Sequence, residues 1–129
     1  MFINDDIGKL ILRLTLGFLT LLHGLHKIIH GIDGIKGMLA NAGLPEVLAY
    51  GVYVGEVLAP IMILIGWHTR IGAGLIVINM LFAIGLAHAH ELLDLTQHGG
   101  WALELQGFFL FTALALIFTG PGSLGINRK

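Results

Sequence analysis

The sequence has no cysteine, only three prolines and few charged residues. The absence of cysteine excludes disulfides, thiolate nucleophiles and cysteine-bound iron–sulfur clusters. Charged side chains occupy 12% of the 129 positions, against ~25% in a typical soluble domain. A soluble domain of this size needs more charge on its surface. The net charge of −1 gives no reason to expect a nucleic-acid partner.

Hydrophobic residues are abundant instead, at 56%, and the mean hydropathy is +0.87. They form four long apolar runs, and a membrane-spanning helix needs ~20 such residues. The sequence therefore predicts an all-α integral membrane protein, a four-helix bundle in a single domain over 1–129. The predicted helices span roughly 7–29, 45–66, 70–88 and 101–119, with a short interfacial helix near 36–41.

The basic residues predict the orientation of this bundle. Four crossings place both chain termini on one side, together with the turn at Thr69-Arg70. The opposite side has only Lys27 and Lys36, so by the positive-inside rule both termini are expected to be cytoplasmic. The basic residues on the side of the termini are Lys9, Arg13, Arg70, Arg128 and Lys129.

Glu56 lies near the middle of the second apolar run, with Pro60 about one turn later. A carboxylate at that depth costs ~2.5–3.5 kcal/mol on insertion scales, so a partner or a task is expected for it. Two interpretations stay open: a structural ion pair or hydrogen bond to Tyr53 one turn away, or a proton-handling acid whose burial favours the neutral form. Arg13 is the predicted partner of Glu56, and these two residues are the catalytic candidates.

The first helix carries a stripe of residues at helical spacing that is expected to face the other helices. Small residues there allow close packing, and a hydroxyl can hydrogen-bond to a neighbouring helix. The charged residues at both ends of the stripe then point inwards, and Lys27 is predicted to pair with Glu104. Gly72 and Asn79 share the predicted inner face of the third helix. The stripe consists of Arg13, Gly17, Thr20, Gly24 and Lys27.

Polar side chains collect in the outer half of the predicted bundle. A quinone ring in an apolar slot needs a few such donors and acceptors. The phenylalanines of the fourth helix are expected to face lipid or pack in the core rather than to line this slot. The candidate cofactor-binding residues are Tyr53, His23, Lys27 and Glu104.

Seven histidines raise metal binding as an alternative. His88 and His90, at the end of the third predicted helix, are the candidate metal ligands, and histidines on separate helices would also suit a haem. Their spacing matches no fixed metal-binding template. Polar rings at the membrane interface are therefore the favoured interpretation, ahead of haem or metal.

Several short patterns follow one another along the chain: Leu12-Arg13, His23-Gly24-x-x-Lys27, Gly55-Glu56, Gly66-x-x-Thr69-Arg70, His88, Glu104 and Gly120-Pro121-Gly122. In this order and spacing they resemble the DoxX family of small four-helix bacterial membrane proteins. The resemblance covers nearly the whole chain and implies a multi-pass protein of the bacterial inner membrane. It also implies an accessory role beside quinone-linked, sulfur-handling or oxidative-stress enzymes. The tail departs from the family pattern, which continues to Ser-Leu-Asp where this chain has Ser123-Leu124-Gly125.

Three functions are consistent with these observations. The favoured one is an accessory redox subunit, at most an oxidoreductase subunit acting with a partner protein that carries the electrons. The second is a non-enzymatic membrane anchor or assembly module, in which the buried charges specify helix packing. The third is a small transporter or channel, for which four helices are narrow and a homo-oligomer would be needed. The lipid bilayer is the expected partner in every case.

Overall fold

The computed structural model describes residues 5–88, 94–97 and 99–124. Within these ranges the chain is helical, apart from one isolated antiparallel bridge between Leu95 and Trp101. A π-helical turn, Ile84–His88, directly follows the helix Thr69–Ala83. The five helices in these ranges are α1 Asp5–His30, α2 Asp33–Asn41, α3 Glu46–Ile65, α4 Thr69–Ala83 and α5 Glu104–Thr119.

Among the described residues, three helices are long and apolar enough to cross a membrane: α1, α3, and α4 with its continuation to Leu86. The fourth predicted span is shorter than expected, because α5 begins at Glu104 and has 16 residues. Large apolar side chains cover the outside of the helices, with Phe18 57% and Ile71 59% exposed. Such a surface is suited to lipid rather than water, and the chain is a multi-pass membrane protein.

α3 is not a uniform α-helix. It starts as a 3₁₀ helix, Glu46–Tyr50, and contains a π-helical stretch, Val54–Leu58, before its last α-helical part, Ala59–Ile65. Pro60 accounts for the irregularity, because proline has no N–H to donate to the carbonyl four residues earlier, that of Glu56. π-helical stretches are rare and frequent at functional sites. The backbone therefore bulges at the buried acid.

Each long helix packs against the next one along the chain, and α5 packs back against α1. α1 and α3 come very close, since a Cβ atom on Gly24 would lie 2.0 Å from the carbonyl oxygen of Glu56. A Cβ atom on Gly17 would lie 2.7 Å from Cγ of Leu64, which shows that the two helices are antiparallel. The buried core residues are Leu16, Ala59, Ile63, Ala73, Ile76, Met80, Phe109, Ala113 and Leu116.

The stripe predicted on the first helix is confirmed as the inner face of α1. Arg13, Gly17, Thr20 and Gly24 are buried there, and Lys27 is partly buried. The Thr20 hydroxyl has no hydrogen-bond partner in the described part of the chain, so the expected bond to a neighbouring helix is not formed. The glycines of the stripe therefore hold α1 and α3 together by close packing.

Candidate functional site

Three polar side chains from three helices meet inside the protein. Lys27 of α1 forms an ion pair through Nζ with Oε1 of Glu56 on α3. Asn79 of α4 donates a hydrogen bond from Nδ2 to Oε2 of Glu56 at 2.8 Å. Glu56 is 4% exposed and Asn79 is 9% exposed. Each carboxylate oxygen thus has a donor, as a buried charge requires. We call Lys27, Glu56 and Asn79 the polar cluster.

Both ion pairs predicted from the sequence are wrong. Gly24 faces Glu56 across the antiparallel helices, whereas Arg13 lies about three turns nearer the start of α1. Lys27, which was expected to bind Glu104, binds Glu56 instead. Glu104 is exposed in the first turn of α5. Glu56 therefore has a basic partner on α1, as expected, but it is the lysine and not the arginine.

Arg13 binds backbone carbonyls at the other end of the helices. Its Nε donates to Ile63 O at 3.0 Å and its Nη2 to Leu64 O at 3.3 Å. Its Nη1 donates to Pro121 O at 3.2 Å and Leu124 O at 3.1 Å. The last carbonyls of a helix lack partners within it and attract positive charge. Arg13 therefore joins α1 to the end of α3 and to the segment after α5.

Asp6 strengthens the same end of the molecule, which we call the Arg13 end. It accepts a hydrogen bond from the backbone amide of Ser123 at 3.0 Å and a second one from the Ser123 hydroxyl. Gly122 makes this approach possible, because a Cβ atom there would lie 3.1 Å from Oδ1 of Asp6 and its φ is +78°. The start of α1 and the segment after α5 thus lie side by side.

An apolar pocket of about 490 Å³ adjoins the polar cluster, and all three residues of the cluster line it. Small-molecule sites typically have volumes of ~300–1,000 Å³ and combine apolar walls with a few polar groups. α3 and α4 form the walls. α2 covers the pocket at the end of the molecule opposite Arg13, which we call the α2 end. Its apolar lining includes Ile35, Met38, Leu39, Val52, Val54, Leu75, Ile78 and Phe82.

α2 is held over the pocket by apolar packing and by one polar contact. Leu39 is 1% exposed and forms a cluster with Ile32 and Ala49. On the outside, Nζ of Lys36 donates to Oη of Tyr50 at 3.0 Å. This hydrogen bond raises the pKa of Lys36 above its ordinary value. A buried leucine and a partly exposed lysine on one short helix are typical of an amphipathic cover.

The structure brings only some of the predicted cofactor-binding residues together. The Tyr53 hydroxyl donates to the backbone oxygen of Lys27 at 3.4 Å, so Tyr53 lies beside the polar cluster. His23 is exposed on α1, where its ring packs edge-on against Phe109 with centroids 5.6 Å apart. Glu104 lines a separate groove along α5. Lys27 is therefore the one candidate of the four that lines the pocket.

The histidines form no metal site in the part of the chain that the structure describes, where no three histidines or acids lie close enough to hold an ion. His90 lies outside the described residues, and His88 is described only as the last residue of the π-helical turn. Their role as metal ligands stays a prediction. His26 and His30 are exposed at the end of α1, with ring centroids 4.3 Å apart.

Asn79 was not predicted as a site residue, although it lies on the inner face expected for its helix. The sequence showed an amide in an otherwise apolar span, and a buried amide needs a hydrogen-bond partner. Gly55 makes room for it, because a Cβ atom there would lie 2.4 Å from Cβ of Asn79. The sequence Gly55-Glu56 thus provides both the space and the acceptor for this amide.

These features define the class of protein: an all-helical, multi-pass membrane protein with a buried ion pair beside an apolar pocket. The chain belongs to the DoxX family, whose family model matches residues 8–89, and the resemblance seen in the sequence is thereby confirmed. A Bacillus subtilis protein named "Putative oxidoreductase CatD" is 29% identical over 122 residues, which cover 95% of this chain and 86% of that protein.

A second relative comes from Haemophilus influenzae and bears the name "Uncharacterized protein". It is 26% identical over 121 residues, which cover 92% of this chain and 87% of that protein. No solved structure matches the chain. The similarity therefore extends over nearly the full length of this chain in both relatives.

Proposed function

We propose that this protein is a quinone-binding accessory subunit of a redox system in the bacterial inner membrane. One observation carries the proposal: the polar cluster of Lys27, Glu56 and Asn79 adjoins an apolar pocket of about 490 Å³. Membership of the DoxX family and the name of the Bacillus subtilis relative support a redox role. We further propose that α5 is the fourth crossing of a four-helix bundle.

The basic residues support an orientation with the Arg13 end in the cytoplasm. Lys9 and Arg70 lie at this end, each beside the Gly-Pro-Gly segment that follows α5. Lys27 and Lys36 lie at the α2 end. Positive residues favour the cytoplasmic side of a membrane. The pocket then lies in the outer half of the bilayer.

The residues of the pocket fit a quinone headgroup. A quinone ring has two carbonyl oxygens that accept hydrogen bonds, and when bound it supplies a site for two electrons and two protons. Lys27 carries three N–H donors on Nζ, one of which serves Glu56. The apolar walls from α3 and α4 suit the faces of such a ring.

The ion pair gives the site a means to hold and move a proton. Asn79 holds Oε2 of Glu56, which leaves Oε1 for the Lys27 ammonium. The Lys27 side chain is 25% exposed and that of Glu56 is 5% exposed, so Lys27 connects the buried acid to the α2 end. A lysine and a carboxylate in this arrangement can serve as acid and base for a bound carbonyl oxygen. A partner protein with its own redox cofactor would supply the electrons.

The quinone content of the purified protein tests this proposal. Wild-type protein in mild detergent, incubated with quinone, should retain it stoichiometrically in native mass spectrometry. Lys27→Met should weaken binding by about tenfold or more, because hydrogen bonds from charged groups contribute roughly 1.5–3 kcal/mol. Lys9→Met, at the other end of α1, is the matched control and should bind as the wild type does. The double variant Lys27→Met/Glu56→Gln removes the donor without leaving an unpaired charge, which separates lost binding from lost folding.

The same ion pair favours a second function, a membrane anchor or assembly module. In this role Lys27, Glu56 and Asn79 would serve to tie α1, α3 and α4 together. The wild-type protein would then stay free of quinone at saturating concentrations, and Glu56→Gln would lower its stability or its binding to a partner protein. That result would overturn the redox proposal.

A further inference from the structure

We infer that the pocket takes its ligand sideways from the lipid phase, as a quinone with a long apolar tail. This inference rests on the proposed function and concerns the class of quinone and the route by which it binds. The polar cluster lines the pocket, and so does α2. The position of the mouth therefore decides which ligands reach Lys27.

The mouth lies between α3 and α4. Val54 on α3 is 41% exposed, and Ile78 and Phe82 on α4 are 59% and 45% exposed, yet all three also line the pocket. Gly51 is exposed beside them, and Leu48, one turn earlier in α3, also lines the pocket and is 44% exposed. Residues that line a pocket and also reach the molecular surface mark its opening. These residues are apolar and belong to two helices that can span a membrane, so the mouth faces acyl chains.

At the α2 end, a short helix lies over the pocket. α2 places Ile35, Met38 and Leu39 over the pocket, and Leu39 is buried there. Gly31 and Gly43 flank α2 with φ of +85° and +75°. These turns fold α2 back across the ends of the long helices instead of letting it extend α1. A ligand that enters between α3 and α4 does not have to pass α2.

A ligand for this pocket needs an acceptor at one end and an apolar chain at the other. The acceptor would bind Lys27, and the chain would leave between Val54 and Ile78. A quinone with an isoprenoid tail has both parts. Because each buried CH₂ adds to the hydrophobic contribution, a tail in the mouth should strengthen binding relative to the bare ring.

The test is to close the mouth by substitution. Ile78→Trp places a large ring in it, and Ile71→Trp is the matched control, since Ile71 lies on the same helix, is also 59% exposed and does not line the pocket. Binding of an isoprenoid quinone and of a tail-less quinone with the same ring is measured in lipid nanodiscs. Ile78→Trp should weaken binding of the tailed quinone by about tenfold or more, and Ile71→Trp should change it by less than about twofold. Tail-less quinone leaves the mouth empty when bound, so its equilibrium binding should be alike in both variants, although it should enter Ile78→Trp more slowly.

A second pair of variants repeats the test on the other side of the mouth. Val54→Trp and its control Ile61→Trp change residues of α3 that are both 41% exposed, of which only Val54 lines the pocket. If Lys27→Met abolishes binding but neither mouth variant affects the tailed quinone, lateral access is wrong and the proposed function stands. If the wild type binds neither quinone, the proposed function fails, and this inference fails with it.

Discussion

Lys27 and Glu56 are charged side chains in an apolar environment, and each supplies the counterion of the other. Removing one member of a buried ion pair typically costs about 3–5 kcal/mol, because the remaining charge stays without a counterion. The Lys27 side chain is 25% exposed, so solvent reduces this penalty here. At the scale of single residues, the pair is therefore both the candidate chemical site and a structural requirement.

A double-mutant cycle separates these two aspects. Glu56→Gln keeps the size of the side chain but leaves Lys27 without a negative partner, and we expect it to lower the free energy of unfolding by about 2–3 kcal/mol. Lys27→Met should have a similar effect. The double variant should be more stable than the worse single one, as measured by unfolding midpoints in detergent. Losses that simply add would show that the two residues do not interact.

At the scale of helices, the contact between α1 and α3 depends on the absence of a side chain. Gly24→Ala would place a Cβ atom 2.0 Å from the backbone oxygen of Glu56, which moves only if the helices part. We expect it to destabilise the protein by about 3 kcal/mol or more. Gly74→Ala, at a site within α4 where nothing lies within 4 Å, should be neutral or stabilise by up to about 1 kcal/mol. Equal unfolding midpoints for the two variants would contradict the close contact.

The sequence predicted the faces of the helices better than the partners across them. Helical spacing placed Arg13 and Lys27 on the inner face of α1, and both are there. These residues are 14 positions apart, or ~21 Å along a helix. Which of them meets Glu56 depends on how far α3 slides along α1, and the tight contact at Gly24 fixes this register. Periodicity within one helix contains no information about it.

The pocket could not be predicted from local sequence patterns, for a related reason. Its walls come from helices that the sequence indicated, but its cover is α2, whose position depends on the turns at Gly31 and Gly43. Asn79 was recognised as inward-facing, yet its role depends on Gly55 leaving space for it next to the acid. Such features arise between segments and become visible only when the segments are assembled.

At the scale of the whole molecule, the proposed orientation is open to a direct test, because the sequence has no cysteine to interfere. Asp5→Cys labels the Arg13 end and Asn41→Cys the α2 end, both at exposed positions. A membrane-impermeant maleimide should label Asn41→Cys in intact cells and Asp5→Cys only after lysis, because the proposed orientation places the Arg13 end in the cytoplasm. The opposite pattern would show that the chain is inverted.

Arg13 is synthesised well before the backbone groups that accept its hydrogen bonds. The acceptors on α3 are 50 and 51 residues further along the chain, and Pro121 and Leu124 are 108 and 111 residues further. At ~5–20 residues per second, the first acceptors emerge about 3–10 s after Arg13 and the last about 5–20 s after it. Until then, the guanidinium has to be solvated by water or lipid headgroups. α1 therefore reaches its final place only after residues 121–124 have been made, and the speed of translation sets a minimum time for assembly.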